Sequence, residues 1–149
     1  MSHTKLTYHG VWSTKHRVAA LYDNMRKRLH SYIAEIINEE FGFALEVGGV
    51  DDHVHVVCDI RPSYKVSDVM RQLKSKSSGW IHRELPNLRD VSWQTGYGAF
   101  TVSASAVPDV VRYIRNQEKH HKSMGFKEEF IALLEKHGIE YEEKYVFAQ

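Results

Sequence analysis

The sequence predicts an α+β fold in which helices pack on one face of an antiparallel sheet, and three observations support it. Four segments are rich in β-branched and aromatic residues and are expected to be strands. Segments between them place apolar residues three and four apart, the spacing of an amphipathic helix. The polar pair Asp51-Asp52 joins two of the strands directly, as in a hairpin. The resulting order, βαββαβαα, is that of a ferredoxin-like sheet with additional C-terminal helices.

The first half of the chain supplies one strand, one helix and the hairpin. Residues 6–17 alternate in side-chain type as a strand does, and residues 19–40 carry an apolar stripe at helical spacing. Gly42 follows this helix and is suited to a left-handed cap. Residues 43–50 and 53–60 are then the second and third strands.

The second half supplies the remaining helices and the last strand. Ser67 is the expected N-cap of the second helix, which ends before a proline. A glycine-containing loop leads into a fourth strand within residues 91–105. Helices are expected from 107 to about 124 and from 127 to 137, the latter stopped by Gly138.

Composition narrows the class of protein. The 149 residues, 42% hydrophobic and 26% charged, suit one soluble domain spanning residues 1–149. No apolar run reaches membrane-spanning length and the N-terminus has no signal-peptide core, so neither feature is predicted. The single cysteine, Cys58, can form no internal disulfide, which favours the cytoplasm. A net charge of +1 does not by itself indicate a nucleic-acid-binding protein.

His53 and His55 open the third predicted strand. Because side chains alternate along a strand, both imidazoles point to the same side. Two neighbouring imidazoles on a rigid element are a starting point for a divalent metal site. The alternative is an amphipathic strand with two histidines on its solvent face.

Tyr113 and Gln117 lie four residues apart on the predicted helix that begins at residue 107, and therefore share one surface. A phenol is a weak nucleophile at neutral pH, but a bound cation can make its attack feasible. The amide oxygen of Gln117 could join the two histidines around Mg²⁺ or Mn²⁺, although this set binds Zn²⁺ more tightly. Alternatively, Tyr113 is an amphipathic side chain at the core boundary. The buried stripe of this helix is expected to be Val107, Val110, Val111 and Ile114.

This pattern resembles the HUH motif and the catalytic-tyrosine helix of single-strand tyrosine transposases. These enzymes come from small bacterial insertion sequences and from their REP-associated relatives. The similarity covers nearly the whole chain, through the segments YHGVWSTKHR, GGVDDHVHVV, LKSKSSGW, WQTGYGAF, NQEKHH and HGIEYEEKY.

The resemblance implies an enzyme that binds a hairpin in single-stranded DNA and cuts and rejoins strands without a nucleoside cofactor. Tyr113 would attack the scissile phosphate, forming a 5′-phosphotyrosine and releasing a 3′ hydroxyl. His53, His55 and Gln117 would hold Mg²⁺ or Mn²⁺. Family members are commonly homodimers that combine the histidine pair of one subunit with the tyrosine helix of the other. The sequence leaves open which subunit's helix is used.

Other residues are assigned with alternatives. Arg71, Lys74 and Lys76 are expected to contact DNA phosphates, or else to form a solvated helix face. Trp93 packs in the core or stacks on unpaired bases, as Tyr97 could. The histidines at 120 and 121 are expected to be surface groups.

Two other functions were weighed. The histidine-triad nucleotide hydrolases need a third alternating histidine, and Val57 occupies that position. A non-catalytic module derived from a transposase, which only binds single-stranded nucleic acid, is the stronger alternative. Its binding would survive both a chelator and the change Tyr113→Phe, without strand cleavage.

Overall fold

The computed structural model describes residues 1–147 and contains a four-stranded antiparallel sheet in the order β2-β3-β1-β4. This order confirms the ferredoxin-like α+β prediction. The strands are β1 Thr7–Ser13, β2 Gly42–Gly49, β3 His53–Ile60 and β4 Gly98–Thr101. The helices are α1 Asp23–Ile36, α2 Val66–Glu84, α3 Val107–Arg115, α4 Gln117–His120, α5 Phe126–Lys136 and α6 Glu143–Val146.

The central strands β1 and β3 divide their side chains between two cores. Trp12 of β1 and Val54 and Val56 of β3 face one side, where α1 and α2 cover them. The two predicted helices therefore pack on one face as expected. Val11 of β1 faces the other side and packs with Phe100 of β4 and the apolar residues of α5. The C-terminal helices thus cover the second face, which is the face that carries His53 and His55.

The first helix is shorter than predicted and ends without a left-handed cap. Its buried residues Leu29, Ile33 and Ile36 keep the predicted spacing, and a π-helical turn, Ile37–Phe41, follows. Gly42 is extended, with φ 168°, so the predicted left-handed cap is wrong. Glycine is needed for a different reason, because a Cβ there would lie 2.0 Å from the carbonyl oxygen of Asp59 on β3.

The second helix begins two residues earlier than its predicted cap implies. Lys65, with extended backbone angles, occupies the N-cap position, so Ser67 lies inside the helix and the N-cap prediction is wrong. The helix stops at Glu84, just before Pro86, as predicted. The last predicted helix is also confirmed, and Gly138 follows it with φ +67°.

The predicted helix from residue 107 is interrupted. Asn116 leaves helical geometry, with φ −94° and ψ 19°, and separates α3 from α4. Of its four predicted stripe residues only Ile114 is buried, and it packs closely against the sheet. That contact is with Gly48 of β2, where an added Cβ would lie 2.7 Å from Ile114 Cγ2. In residues 1–147, no helix combines the length and apolarity that membrane crossing requires.

Candidate metal centre and nucleophile

His53 and His55 are fully buried on the sheet face covered by the C-terminal helices. The solvent-face interpretation of this pair is therefore wrong. The two rings lie 5.0 Å apart between centroids. Strand β3 thus delivers two neighbouring imidazoles into the protein interior, as its alternation predicted.

Each of these imidazoles is held at its Nδ1 atom. His53 Nδ1 donates to Asp52 Oδ1 over 2.6 Å, and His55 Nδ1 is hydrogen-bonded to His9 Nε2 over 2.8 Å. Metal-binding histidines commonly have the second ring nitrogen fixed in this manner. Neither Asp52 nor His9 was singled out from the sequence. The signals were present, because Asp52 adjoins His53 and His9 lies on the same face of β1 as Val11.

Gln117 meets the histidine pair, as predicted from its position on the tyrosine helix. Its side chain is buried, and its Oε1 lies 2.9 Å from His53 Nε2. Its Nε2 donates to Glu129 Oε2 over 2.9 Å. The amide oxygen is thereby aimed at the atom of His53 that a metal would use.

Tyr113 lies beside the same cluster, in the same chain. Its hydroxyl donates a hydrogen bond to Glu129, and its ring centroid is 5.8 Å from that of His55. The tyrosine lines a cavity of about 530 Å³ between β4, α3 and α5. Burial, followed by the nearby Glu129 carboxylate, raises the pKa of Tyr113 above its ordinary value. The phenol is therefore protonated in the structure as it stands.

Glu129 is the central residue of the cluster, and the sequence reasoning missed it. This α5 side chain is 1% exposed. Its Oε1 lies 3.1 Å from His55 Nε2, 3.2 Å from His53 Nε2 and 2.9 Å from His121 Nε2. Burial alone would raise the pKa of Glu129, but hydrogen bonds from His121, His53 and His55 outweigh it and hold the pKa well below its ordinary value. A signal did exist, since this glutamate sits in the apolar stripe of α5.

The two strand histidines differ in charge. For His53, burial acts to lower the pKa, but hydrogen bonds to Asp52 and Glu129 prevail and raise it to about 9. For His55, burial prevails and lowers the pKa to about 4. At neutral pH the cluster therefore pairs an ionised carboxylate with one cationic and one neutral imidazole.

The histidines after Gln117 are not both surface groups, which corrects the prediction for this pair. His121 is mostly buried and donates to Glu129, while His120 Nε2 lies 3.7 Å from the other oxygen of that carboxylate. Two overlapping groups of candidate ligands result, and within each the ligand atoms lie within 4.8 Å of one another. These groups are His53, His55 and Glu129, and His120, His121 and Glu129. Imidazole nitrogens with carboxylate and amide oxygens fit a divalent cation.

The three basic residues expected to contact DNA lie on α2, which packs on the other face of the sheet. Lys74 donates its ammonium hydrogens to the backbone oxygens of Gln94, Thr95 and Gly96, over 2.7 to 3.0 Å. Lys76 pairs with Glu40 at 2.5 Å, and Arg71 is exposed and pairs with Asp68 at 3.3 Å. The structure does not bring these side chains to the histidine cluster, and their contact with phosphates stays a prediction.

Trp93 and Tyr97 occupy different environments. The Trp93 ring packs edge-on against Trp12, with centroids 5.9 Å apart, and its Nε1 donates to Ser77. The core-packing interpretation of Trp93 therefore agrees with its contacts. Tyr97 is partly exposed, and its ring lies 6.0 Å from Lys74 Nζ.

Comparison with known proteins gives concordant matches. A sequence profile of the family described as IS200-like transposases matches residues 2–117. The chain is 28% identical, over 129 residues, to the transposase for insertion sequence element IS200 of Salmonella typhimurium, covering 82% of this chain and 84% of the relative. The Salmonella typhi IS200 transposase matches equally well.

Two solved structures share the architecture. A candidate transposase from Deinococcus radiodurans R1 superposes with a TM-score of 0.66 and 26% identity, over 78% of this chain and 93% of that one. A REP-associated tyrosine transposase bound to a REP hairpin gives a TM-score of 0.60 over 81% of this chain and 72% of that one. At 14% identity the second likeness is one of fold alone.

Proposed function

The chain belongs to the family of IS200-like transposases, and we propose that it cleaves and rejoins single-stranded DNA through a tyrosine nucleophile. The observation that carries the proposal is the convergence of Tyr113 and Gln117 with the buried pair His53 and His55. Residues about sixty positions apart in the sequence meet there. Together, their imidazole, amide and phenol side chains are suited to phosphate chemistry. Core packing alone does not call for so many polar side chains at one buried point.

The proposed reaction is an exchange of phosphodiester bonds. The Tyr113 oxygen bonds to the scissile phosphorus, and the bond from phosphorus to the 3′ oxygen breaks. The phenol proton is lost and the leaving 3′ oxygen gains one, so a 5′-phosphotyrosine and a 3′ hydroxyl result. Because the phosphodiester energy is kept in the protein–DNA bond, attack by another 3′ hydroxyl rejoins a strand without a nucleoside cofactor.

Tyr113 is oriented for this step by its hydrogen bond to Glu129. That bond points the nucleophilic oxygen into the space between the histidine cluster and the adjoining cavity. The carboxylate is also the nearest acceptor for the phenol proton. The nucleophile is therefore positioned before DNA arrives, which lowers the entropic cost of reaching the attacking geometry.

His53, His55 and Gln117 are proposed to hold Mg²⁺ or Mn²⁺. Such an ion, when bound, offsets charge on the scissile phosphate. The chain's own contribution is to present two Nε2 atoms and one amide oxygen, with the far side of each ring fixed by Asp52 or His9.

The DNA partner is proposed to be a single strand carrying a hairpin, and the REP-associated neighbour is bound to a REP hairpin. Arg71 is the most exposed of the three basic residues on α2 and is the first candidate for phosphate contact. Lys74 and Lys76 would have to exchange intramolecular partners for phosphates. A homodimer is part of the proposal, and within a single chain Tyr113 already lies against its own histidine pair.

The test is a strand-transfer assay with labelled single-stranded DNA from the flanks of the gene, with Mn²⁺ or Mg²⁺, analysed on a denaturing gel. We expect a labelled protein band that disappears with chelator and with Tyr113→Phe. Tyr145→Phe, at an exposed tyrosine on α6, is the matched control and should retain the adduct. DNA binding without an adduct on any flank would favour the non-catalytic binding module.

A further inference from the structure

We propose that Glu129 is the carboxylate ligand of the metal centre, so that helix α5 completes a site begun by strand β3. The proposal rests on the proposed function for the presence of a divalent cation. It adds a ligand from outside residues 2–117, the segment that the family profile matches.

The placement of its Oε1 atom supports this role. Oε1 lies 3.1 Å from His55 Nε2 and 3.2 Å from His53 Nε2. Gln117 Oε1 reaches the same His53 nitrogen over 2.9 Å. The ligand atoms of His53, His55 and Glu129 therefore lie within 4.8 Å of one another, and the Gln117 oxygen contacts one of the two imidazole nitrogens.

Burial supports the same role. Glu129 is 1% exposed, and a buried carboxylate is costly unless it is paired. Within residues 1–147 its ion pairs are all with histidines, at positions 53, 55, 120 and 121. Arginine is the more usual partner of a buried structural carboxylate. A carboxylate surrounded by imidazoles resembles instead the composition of a metal site.

The chemistry of the donors also improves with Glu129. As metal ligands, both imidazoles are neutral, and together with the amide they carry no charge to offset that of a divalent ion. Mg²⁺ and Mn²⁺ prefer oxygen ligands, and one carboxylate supplies both oxygen and negative charge. His121 hydrogen-bonds to the same Oε1 and would orient it.

The second oxygen of Glu129 links the metal centre to the nucleophile. Oε2 accepts hydrogen bonds from the Tyr113 hydroxyl and from Gln117 Nε2. One carboxylate therefore contacts His53 and His55 through Oε1 and the tyrosine through Oε2. Docking of α5 would fix the distance between the ion and the attacking oxygen.

The competing role for Glu129 is that of a structural counter-ion for the imidazoles. If Glu129 had that role alone, glutamine could replace it without weakening metal binding, because the imidazoles would become freer to bind the ion. The two roles thus predict opposite changes in metal affinity.

The experiment is a titration of the DNA-free protein with Mn²⁺, in which electron paramagnetic resonance measures the free ion. Glu129→Gln should weaken Mn²⁺ binding by roughly tenfold or more, because the ion would lose a ligand that carries negative charge. Glu128→Gln, at the exposed neighbouring glutamate of α5, is the matched control and should stay within about twofold of the unchanged protein. Equal or tighter binding by Glu129→Gln would overturn the proposal.

His53→Ala separates this proposal from the proposed function. If His53→Ala weakens Mn²⁺ binding and Glu129→Gln does not, Glu129 is not a ligand while the metal-dependent function stands. If the unchanged protein binds no Mn²⁺, the metal part of both proposals is overturned.

A second measurement needs no variant and remains informative if Glu129→Gln does not fold. Hydrogen–deuterium exchange of the unchanged protein is followed with and without Mn²⁺. We expect the amides of α5 to exchange more slowly with Mn²⁺, together with those of β3. Slower exchange in β3 with no change in α5 would overturn the proposal.

Discussion

At the residue scale, the ring orientation of each strand histidine depends on the residue that contacts its Nδ1 atom. Asp52 fixes His53 and leaves its Nε2 directed at Gln117, and His9 fixes His55 and leaves its Nε2 directed at Glu129. Neither imidazole can rotate without breaking a hydrogen bond that is buried for His55 and partly buried for His53, and leaving a buried polar group unpaired costs about 1–3 kcal/mol. Ring orientation is thus set before any ion binds.

A more distant histidine predicts how the fold responds to acid. His30 on α1 has an Nε2 without a hydrogen-bond partner in residues 1–147. Burial, followed by electrostatic interactions with Arg26, His53 and His55, lowers its pKa from 6.5 to about 4. As the pH falls from 6.5 towards 4, the unfolded chain takes up a proton at this site and the folded chain does not. Stability is therefore lost across that window.

The predicted contribution is about 2 kcal/mol between pH 7.5 and pH 4.5. Urea unfolding with chelator present should show that the unchanged protein loses this much more stability than His30→Gln over the same pH interval. Equal losses in the two proteins would show that His30 is charged or exposed in the fold.

At the element scale, the contact between α3 and β2 holds the tyrosine helix in place. Gly48→Ala would put a Cβ 2.7 Å from Ile114 Cγ2 and 2.9 Å from Ile114 O, so α3 must move away. We expect a loss of about 1–3 kcal/mol in stability from overpacking. Adduct formation should fall as well, because Tyr113 moves with the helix.

Gly79→Ala on α2 is the control for Gly48→Ala. Nothing lies within 4 Å of a Cβ at that position, and alanine stabilises a helix interior by about 1 kcal/mol relative to glycine. Urea unfolding and the adduct gel measure both variants. Unchanged adduct formation in Gly48→Ala would mean that α3 need not sit against β2 for catalysis.

The elements also show how far sequence reasoning reached. Strand β3 was predicted with its observed bounds, because a turn and an alternating apolar run define it locally. The break at Asn116 was not predicted, because Tyr113 and Gln117 on either side of it keep the four-residue spacing of a continuous helix. Glu129 was missed for a different reason: the glutamate stands in an apolar stripe, and only the fold shows that the opposite surface consists of imidazoles.

At the scale of the whole molecule, the sheet has a separate core on each face. The core against α1 and α2 is large, whereas the one against α5 contains Val11 and Phe100 and the apolar residues of that helix. The smaller core determines where Glu129 lies. Stability of that face and completeness of the metal centre are therefore linked.

This linkage predicts that damage to the smaller core also weakens metal binding. Phe130 is buried and stacks on Phe126 with centroids 5.5 Å apart. Phe130→Ala should cost about 3–5 kcal/mol in stability and should reduce the rise in Tm that Mn²⁺ produces. Phe43→Ala, at an exposed position on β2, should change stability by less than about 0.5 kcal/mol and leave the Mn²⁺ effect intact. An unchanged Mn²⁺ effect in Phe130→Ala would show that the second core and the site are independent.

The hydrogen bonds of the cluster span large distances along the chain. His9 reaches His55 across 46 residues, His53 reaches Gln117 across 64, and His55 reaches Glu129 across 74. Contacts between residues so far apart in the sequence form late in folding, because the intervening loop must be closed before the contact is gained. The sheet also depends on such contacts, since Tyr8 of β1 pairs with Thr101 of β4 across 93 residues. Glu129 lies further along the chain than β4, so a newly made chain lacks the complete cluster until α5 has been made.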